Sequence, residues 1–306
     1  MIKLTNLKIS FAGVNFKNPI VTASGAFGFG REYGDYYDLS NLGGICVKGL
    51  TASERLGNLP PRVAETPMGM LNSVGLQNPG VDVFIAEELP FLRRFDTAVI
   101  ANISGNTIEE YVSMAEKLSD AGVDIIEVNV SCPNVKAGGM QFGVSAENVH
   151  AVAKAVKGCS AVPVMVKLSP NVTSIADMAK AAEDAGADAI SLINTLLGMR
   201  IDVVSRKPVL HNNVGGLSGP AILPVAIRMV WQAAAAVNIP VMGMGGVAKG
   251  EDAVEMMLAG ACLIGVGTAN FTDPYAPINI IKWMQEYCMR SGIEDINDII
   301  GKVVLN

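Results

Sequence analysis

The chain has 306 residues, half of them hydrophobic and 17% charged, with a formal net charge of -6. No run of basic residues occurs, which argues against nucleic acid as the main partner, because neutralising phosphates takes clustered Lys and Arg. No stretch approaches the apolar length of a membrane span. The opening MIKLTNLKISFAGVNF alternates with polar residues rather than forming a signal-peptide core, so a cytoplasmic protein without membrane attachment is expected.

From the N-terminus, residues 1–18 read as a hairpin that closes the bottom of a barrel. Eight short apolar runs follow: PIVTASGA from Pro19, GGICVKGLT from Gly43, TAVIANISG from Thr97, VDIIEVNVS from Val123, VPVMVKLSP from Val162, ADAISLINT from Ala187, IPVMGMGG from Ile239 and ACLIGVGT from Ala261. Continuous apolar runs of this kind are what strands buried on both faces look like. Between most of them lie stretches with helical spacing, such as TIEEYVSMAEKLSDAG, SIADMAKAAEDAG and KGEDAVEMMLAG, each ending in Ala-Gly as a helix C-cap. Thr107 followed by Glu110 predicts a capping box. Eight strands with intervening helices predict a single (β/α)8 TIM barrel domain over residues 1–306. A doubly wound sheet is the alternative, but no G-x-G-x-x-G turn follows the first strand. The long insertions at residues 51–96 and 196–219 are expected to cap the barrel's C-terminal face.

In such a barrel the C-terminal strand ends carry the active site, so the polar residues there are the candidates. In order they are Ser24, Lys48, Asn102, Asn129, Lys167, Asn194, Gly245 with Gly246, and Gly267 with Thr268. Taken singly, a lysine after a strand is a solvated loop residue and an asparagine is a turn residue. Five such strand ends together point to one pocket. The glycines after the seventh and eighth runs, and GGLSGPA from Gly215 with Pro220 near a helix start, suit close approach to a phosphate. Packing at barrel corners is their other reading.

Five cysteines, none in C-x-x-C, and two distant histidines, His150 and His211, give no disulfide framework, metal site or Ser-His-Asp triad within the chain. Cys46, Cys159 and Cys262 fit buried filler. Cys132 differs, standing past the fourth run and before a proline, in NVSCPNVKAGG. It is a candidate nucleophile or base.

Together KGLT, NSVGLQNPG, NVSCPNVKAGGMQFG, VKLSPN, INTLLGM, GGLSGPA, GMGG and VGTANF resemble class 1 dihydroorotate dehydrogenase over essentially the whole chain. The words GLQNPG and KAGGMQFG are similar to the B-type catalytic subunit rather than the fumarate-using A-type. The resemblance implies an FMN-containing barrel that oxidises (S)-dihydroorotate to orotate. It also implies a partner subunit carrying FAD and a [2Fe-2S] cluster, in a heterotetramer that passes electrons to NAD+. By the same resemblance, Cys132 is the base that takes the C5 proton, while the C6 hydride goes to N5 of FMN. Lys48 contacts flavin and substrate, and Lys167 stabilises the reduced flavin. Asn72, Ser73, Val74, Gly75, Leu76, Asn129, Asn194 and Thr195 hold the substrate. Ser24, Gly49, Asn102, Asn129 and Ile193 line the flavin. Gly219, Gly245, Gly246, Gly267 and Thr268 hold ribityl and phosphate, and no metal is implied. Alternatives are the fumarate-using A-type dihydroorotate dehydrogenase, a flavin barrel acting on another dihydropyrimidine, a flavin-storing barrel without turnover, and a Schiff-base aldolase using Lys48 or Lys167.

Overall fold

The structure is a computed structural model and describes residues 5–131 and 142–306. The eight apolar runs form eight parallel strands: Ile20–Thr22, Gly44–Cys46, Ala98–Ile103, Ile125–Asn129, Val164–Lys167, Ala189–Leu192, Val241–Met244 and Leu263–Val266. Each pairs with the next in chain order and the last pairs with the first, closing a barrel. Every residue of these strands is buried, because the barrel interior covers one face and the helices cover the other. That double burial is the physical source of the unbroken apolar runs.

The helices begin where capping side chains allow. Thr107, Ser145 and Ser174 each accept a hydrogen bond from an N–H in the first turn of the helices Ile108–Asp120, Ala146–Cys159 and Ile175–Asp184. The expected capping box at Thr107 forms only in part. Glu110 returns its carboxylate to the N–H of Asn106 rather than to that of Thr107. No α-helix follows the first strand; two short 3-10 turns at Tyr33–Asp35 and Leu39–Asn41 make that crossover instead.

The N-terminal hairpin pairs Ile9–Phe11 with Val14–Phe16. Its Phe16 ring lies at the start of the second barrel strand, so close that a Cβ on Gly44 would meet it at 2.9 Å. Phe11 meets Phe16 edge to face, and both rings are buried. Phe16→Ala is expected to destabilise the chain by about 3–5 kcal/mol through the cavity it leaves. Urea melts showing a lowered midpoint at unchanged slope would register this.

The two insertions do more than cover the other end. They join in one four-stranded antiparallel sheet, in the order Leu196–Gly198, Gly215–Ser218, Gly69–Asn72 and Val63–Thr66. The cap is therefore a small β-sheet assembled from two distant parts of the sequence. Among the described residues, no helix is long and apolar enough to cross a membrane.

Candidate active site

Between the C-terminal strand ends and the cap sheet lies a cavity of about 590 Å³, within the size range of small-molecule sites. Every barrel strand except the third contributes to its wall, through its last residues or those just after them, as do both insertions. Of the residues singled out from the sequence, Ser24, Lys48, Gly49, Asn72, Val74, Gly75, Leu76, Asn129, Lys167, Ile193, Asn194, Thr195, Gly219, Gly245, Gly246, Gly267 and Thr268 all line it. Ser73 and Asn102 stand behind the wall and are buried. Cys132 lies outside the described residues.

Strand register explains how these side chains converge. Asn129 is the register partner of Lys167, and Lys167 that of Ser191, so the three sit side by side on one barrel layer. Asn194 donates from Nδ2 to Asn129 Oδ1 at 3.3 Å, and its own Oδ1 accepts from the Thr195 N–H at 2.7 Å. On the cap side, Asn72 donates to the Gly216 carbonyl at 3.4 Å, across the pairing of the two insertions. The sheet that joins the insertions thereby brings Asn72 to the cavity that Asn129 and Asn194 also line. The backbone of Ser73 is committed within the cap, donating to Arg62 and accepting from Asn58.

Charge is distributed one way. Lys48 and Lys167 are the charged side chains of the described lining, and none of that lining is acidic. The ammonium of Lys48 lies 3.8 Å from where a Cβ on Gly25 would stand, tucked beneath the loop that follows the first strand. Lys167 is almost fully buried, with Nζ 3.8 Å from Oε2 of Glu127. A cavity with two ammonium groups and no carboxylate in its wall favours an anionic occupant.

Glu127 was not singled out from the sequence. It is a fully buried carboxylate in the middle of the fourth strand. Its Oε1 accepts from Ser191 Oγ at 2.6 Å, and its Oε2 accepts from Asn102 Nδ2 at 2.5 Å and from Cys46 Sγ at 3.2 Å. Burial first, and then the charge of Glu127, push the Cys46 thiol well above its usual range, which keeps it a neutral donor. The signal that would have found Glu127 is a lone carboxylate inside IIEVN, two residues before Asn129 and so on the same strand face.

At the seventh strand end, Gly245 and Gly246 take φ values of 121° and 84°. A Cβ on Gly246 would come within 2.8 Å of the Leu223 backbone nitrogen, so the loop passes directly over the start of the helix Leu223–Ala234. Beside it, Thr268 Oγ1 bonds Ser218 Oγ at 2.8 Å, tying the eighth strand end to the cap sheet. Backbone N–H groups at such close-packed glycine turns suit a phosphate. Among the described residues, no group of three or more His, Cys, Asp or Glu is placed to hold a metal ion.

The sequence model described as Dihydroorotate dehydrogenase matches residues 6–288. The chain belongs to the dihydroorotate dehydrogenase family. Its similarity to individual members of that family spans nearly the whole length. It is 57% identical to a protein of Thermoanaerobacter pseudethanolicus named dihydroorotate dehydrogenase B (NAD(+)), catalytic subunit, over 97% of this chain and 99% of that one. Proteins of the same name from Alkaliphilus oremlandii and Lachnoclostridium phytofermentans are 56% and 51% identical, with the same coverage. The aldolase alternative falls with this family membership.

Proposed function

We propose that the chain is the FMN-binding catalytic subunit of a B-type dihydroorotate dehydrogenase, oxidising (S)-dihydroorotate to orotate in pyrimidine biosynthesis. The observation that carries the reading is the described cavity wall, with two lysines, the amides of Asn72, Asn129 and Asn194, and, among the described residues, no carboxylate. Dihydroorotate is a carboxylate attached to a ring whose edge alternates amide N–H and C=O. Lysines complement the first, and asparagine amides, being donor and acceptor at once, complement the second.

The residues present also fit FMN. The buried Asn102 Oδ1 has no partner among the described residues and suits a ring N–H. Gly219, Gly245, Gly246, Gly267 and Thr268 form the glycine-rich side of the cavity, where a phosphate meets backbone N–H groups. FMN, when bound, supplies a two-electron acceptor for the hydride that leaves C6.

The chain's own part is to bind, orient and move a proton. Asn72, Asn129, Asn194 and Thr195, with backbone from Val74 to Leu76, hold the substrate ring between barrel and cap, while Ser73, bound to Arg62 and Asn58, stands behind them. Lys48 binds at the boundary of substrate and flavin. Lys167, backed by Glu127, keeps a positive charge deep in the site, where negative charge gathers as the substrate is oxidised. Ser24, Gly49, Asn129 and Ile193 shape the flavin-facing wall, with Asn102 directly behind Gly49. Cys132 takes the C5 proton as general base.

The reading extends to the partner. The relatives' names specify NAD(+) and a catalytic subunit, and the chain has no cluster-type cysteine spacing of its own. A second subunit bearing FAD and a [2Fe-2S] cluster therefore takes the electrons to NAD+, in an assembly of two catalytic and two electron-transfer chains, in the cytoplasm. The whole catalytic unit is one barrel domain over residues 1–306.

The purified chain is expected to be yellow, and its visible flavin band to bleach when dihydroorotate is added without oxygen. NAD+ reduction is expected only once the second subunit is present. A band that stays oxidised with dihydroorotate but bleaches with dihydrouracil would move the assignment to another dihydropyrimidine. A band that bleaches with neither would leave a flavin-storing barrel.

A further inference from the structure

We infer that Glu127 is a positioning residue that decides which hydrogen-bonding edge this site presents to the flavin ring. The inference rests on the flavin-binding reading and adds to it a residue that stands behind the cavity wall.

The argument starts from what a carboxylate does. It accepts hydrogen bonds and donates none. Asn102 and Glu127 are register partners on adjacent strands, so their side chains lie side by side inside the barrel. Because Glu127 Oε2 takes the Asn102 N–H2 at 2.5 Å, the amide has only one orientation: nitrogen inward, carbonyl oxygen outward. That oxygen lies 2.8 Å from the point where a Cβ on Gly49 would stand. Gly49 lines the cavity, and any larger residue there would place carbon against the oxygen. Asn102 Oδ1 is buried and has no partner among the described residues. A buried acceptor left without a donor is costly, so a ligand N–H is the group it suits.

The same carboxylate oxygen faces Lys167 Nζ at 3.8 Å. One anion therefore fixes two neighbours, an outward acceptor on Asn102 and a cationic donor on Lys167. Acceptor beside donor complements an imide edge, with its N–H next to a C=O. In the flavin ring that edge is N3–H with one of its two flanking carbonyls, C2=O or C4=O. Ser191 and Cys46 fill the remaining positions on Glu127, which locks its own rotamer.

The test uses the apoprotein and two probes, FMN and 3-methyl-FMN, whose N3 carries no hydrogen, with binding read from quenching of flavin fluorescence. The wild-type chain is expected to bind 3-methyl-FMN at least about tenfold more weakly than FMN, the effect of one buried hydrogen bond. Glu127→Met has similar shape and accepts nothing, so the Asn102 amide is no longer held. Its preference for FMN is expected to shrink to less than about threefold, mainly through weaker FMN binding. Glu127→Gln is expected to keep the preference, with its oxygen opposite Asn102 and its N–H2 donating to a rotated Ser191 hydroxyl.

A wild-type chain that binds both flavins equally overturns the inference. So does Glu127→Met with an undiminished preference, or Glu127→Gln that loses it as fully as Met does. If Glu127→Met does not fold, the wild-type and Gln ratios still decide. A wild-type chain that binds no FMN removes the flavin reading itself, whereas FMN binding without preference removes only the role of Glu127.

Discussion

Cys132→Ala is expected to slow flavin bleaching by dihydroorotate by about 10²–10⁴-fold, the usual contribution of a positioned general base. The chain should keep its bound FMN and its affinity for orotate, because the proposed holding groups, Asn72, Asn129, Asn194 and Lys48, line the cavity and are unchanged in the variant. The chemistry of the other cysteines makes the experiment specific. Burial raises the thiols of Cys46, Cys159, Cys262 and Cys288 above the usual range, which leaves less thiolate at neutral pH and makes them poor bases. Stopped-flow reduction with substrate deuterated at C5 checks the assignment. The residual rate of the variant should show a larger isotope effect than wild type, since proton removal becomes the slow step. A variant that reduces its flavin at the wild-type rate would take the base away from Cys132.

Gly246→Ala is the second substitution with a large expected effect, a loss of FMN affinity of more than about 100-fold in a chain that still folds. Two costs act together. The residue has a φ of 84°, a region that costs a side-chain-bearing residue about 1–2 kcal/mol. The new methyl would also stand 2.8 Å from both the nitrogen and the Cβ of Leu223. That residue begins a helix packed against the barrel, so the loop has to move instead, carrying the adjacent N–H groups off the proposed phosphate position. Fluorescence titration of the apoprotein with FMN, with far-UV circular dichroism as the folding control, reads this out. Wild-type affinity would mean that the phosphate is held elsewhere in the cavity.

The barrel was legible in the sequence because its strands are buried on both sides. That forces uninterrupted apolar runs, and the first hydrophilic residue after each run marks the strand's exit. Lys48, Asn129, Lys167 and Asn194 were found by that rule, and all of them line the cavity. Asn102 obeys the same rule in sequence yet stands behind Gly49, its amide nitrogen bound to Glu127 and its oxygen against Gly49. Glu127 was passed over because it interrupts a run instead of ending one.

The cap shows a different limit. Each insertion displays its turn residues, but the pairing of Gly216 with Asn72 joins segments from opposite halves of the chain. Nothing local in GMLN or GGLS names the other. Ser73 illustrates the consequence: the loop it belongs to reaches the cavity, while its own backbone is committed to Arg62 and Asn58.

That remote pairing also bears on the order of events during translation. The strands Val63–Thr66 and Gly69–Asn72 leave the ribosome early as a two-stranded hairpin, a unit that is marginal in water by itself. Its inner edge has no neighbour until Gly215–Ser218 has been synthesised, after six of the eight barrel strands. Closing so long a loop is slow relative to the local helix and strand contacts of the barrel. The roof over the cavity is therefore among the last parts of the nascent chain to set. Until then the hairpin offers an open strand edge to whatever is nearby, and a chaperone that shields it would act on a short and identifiable stretch.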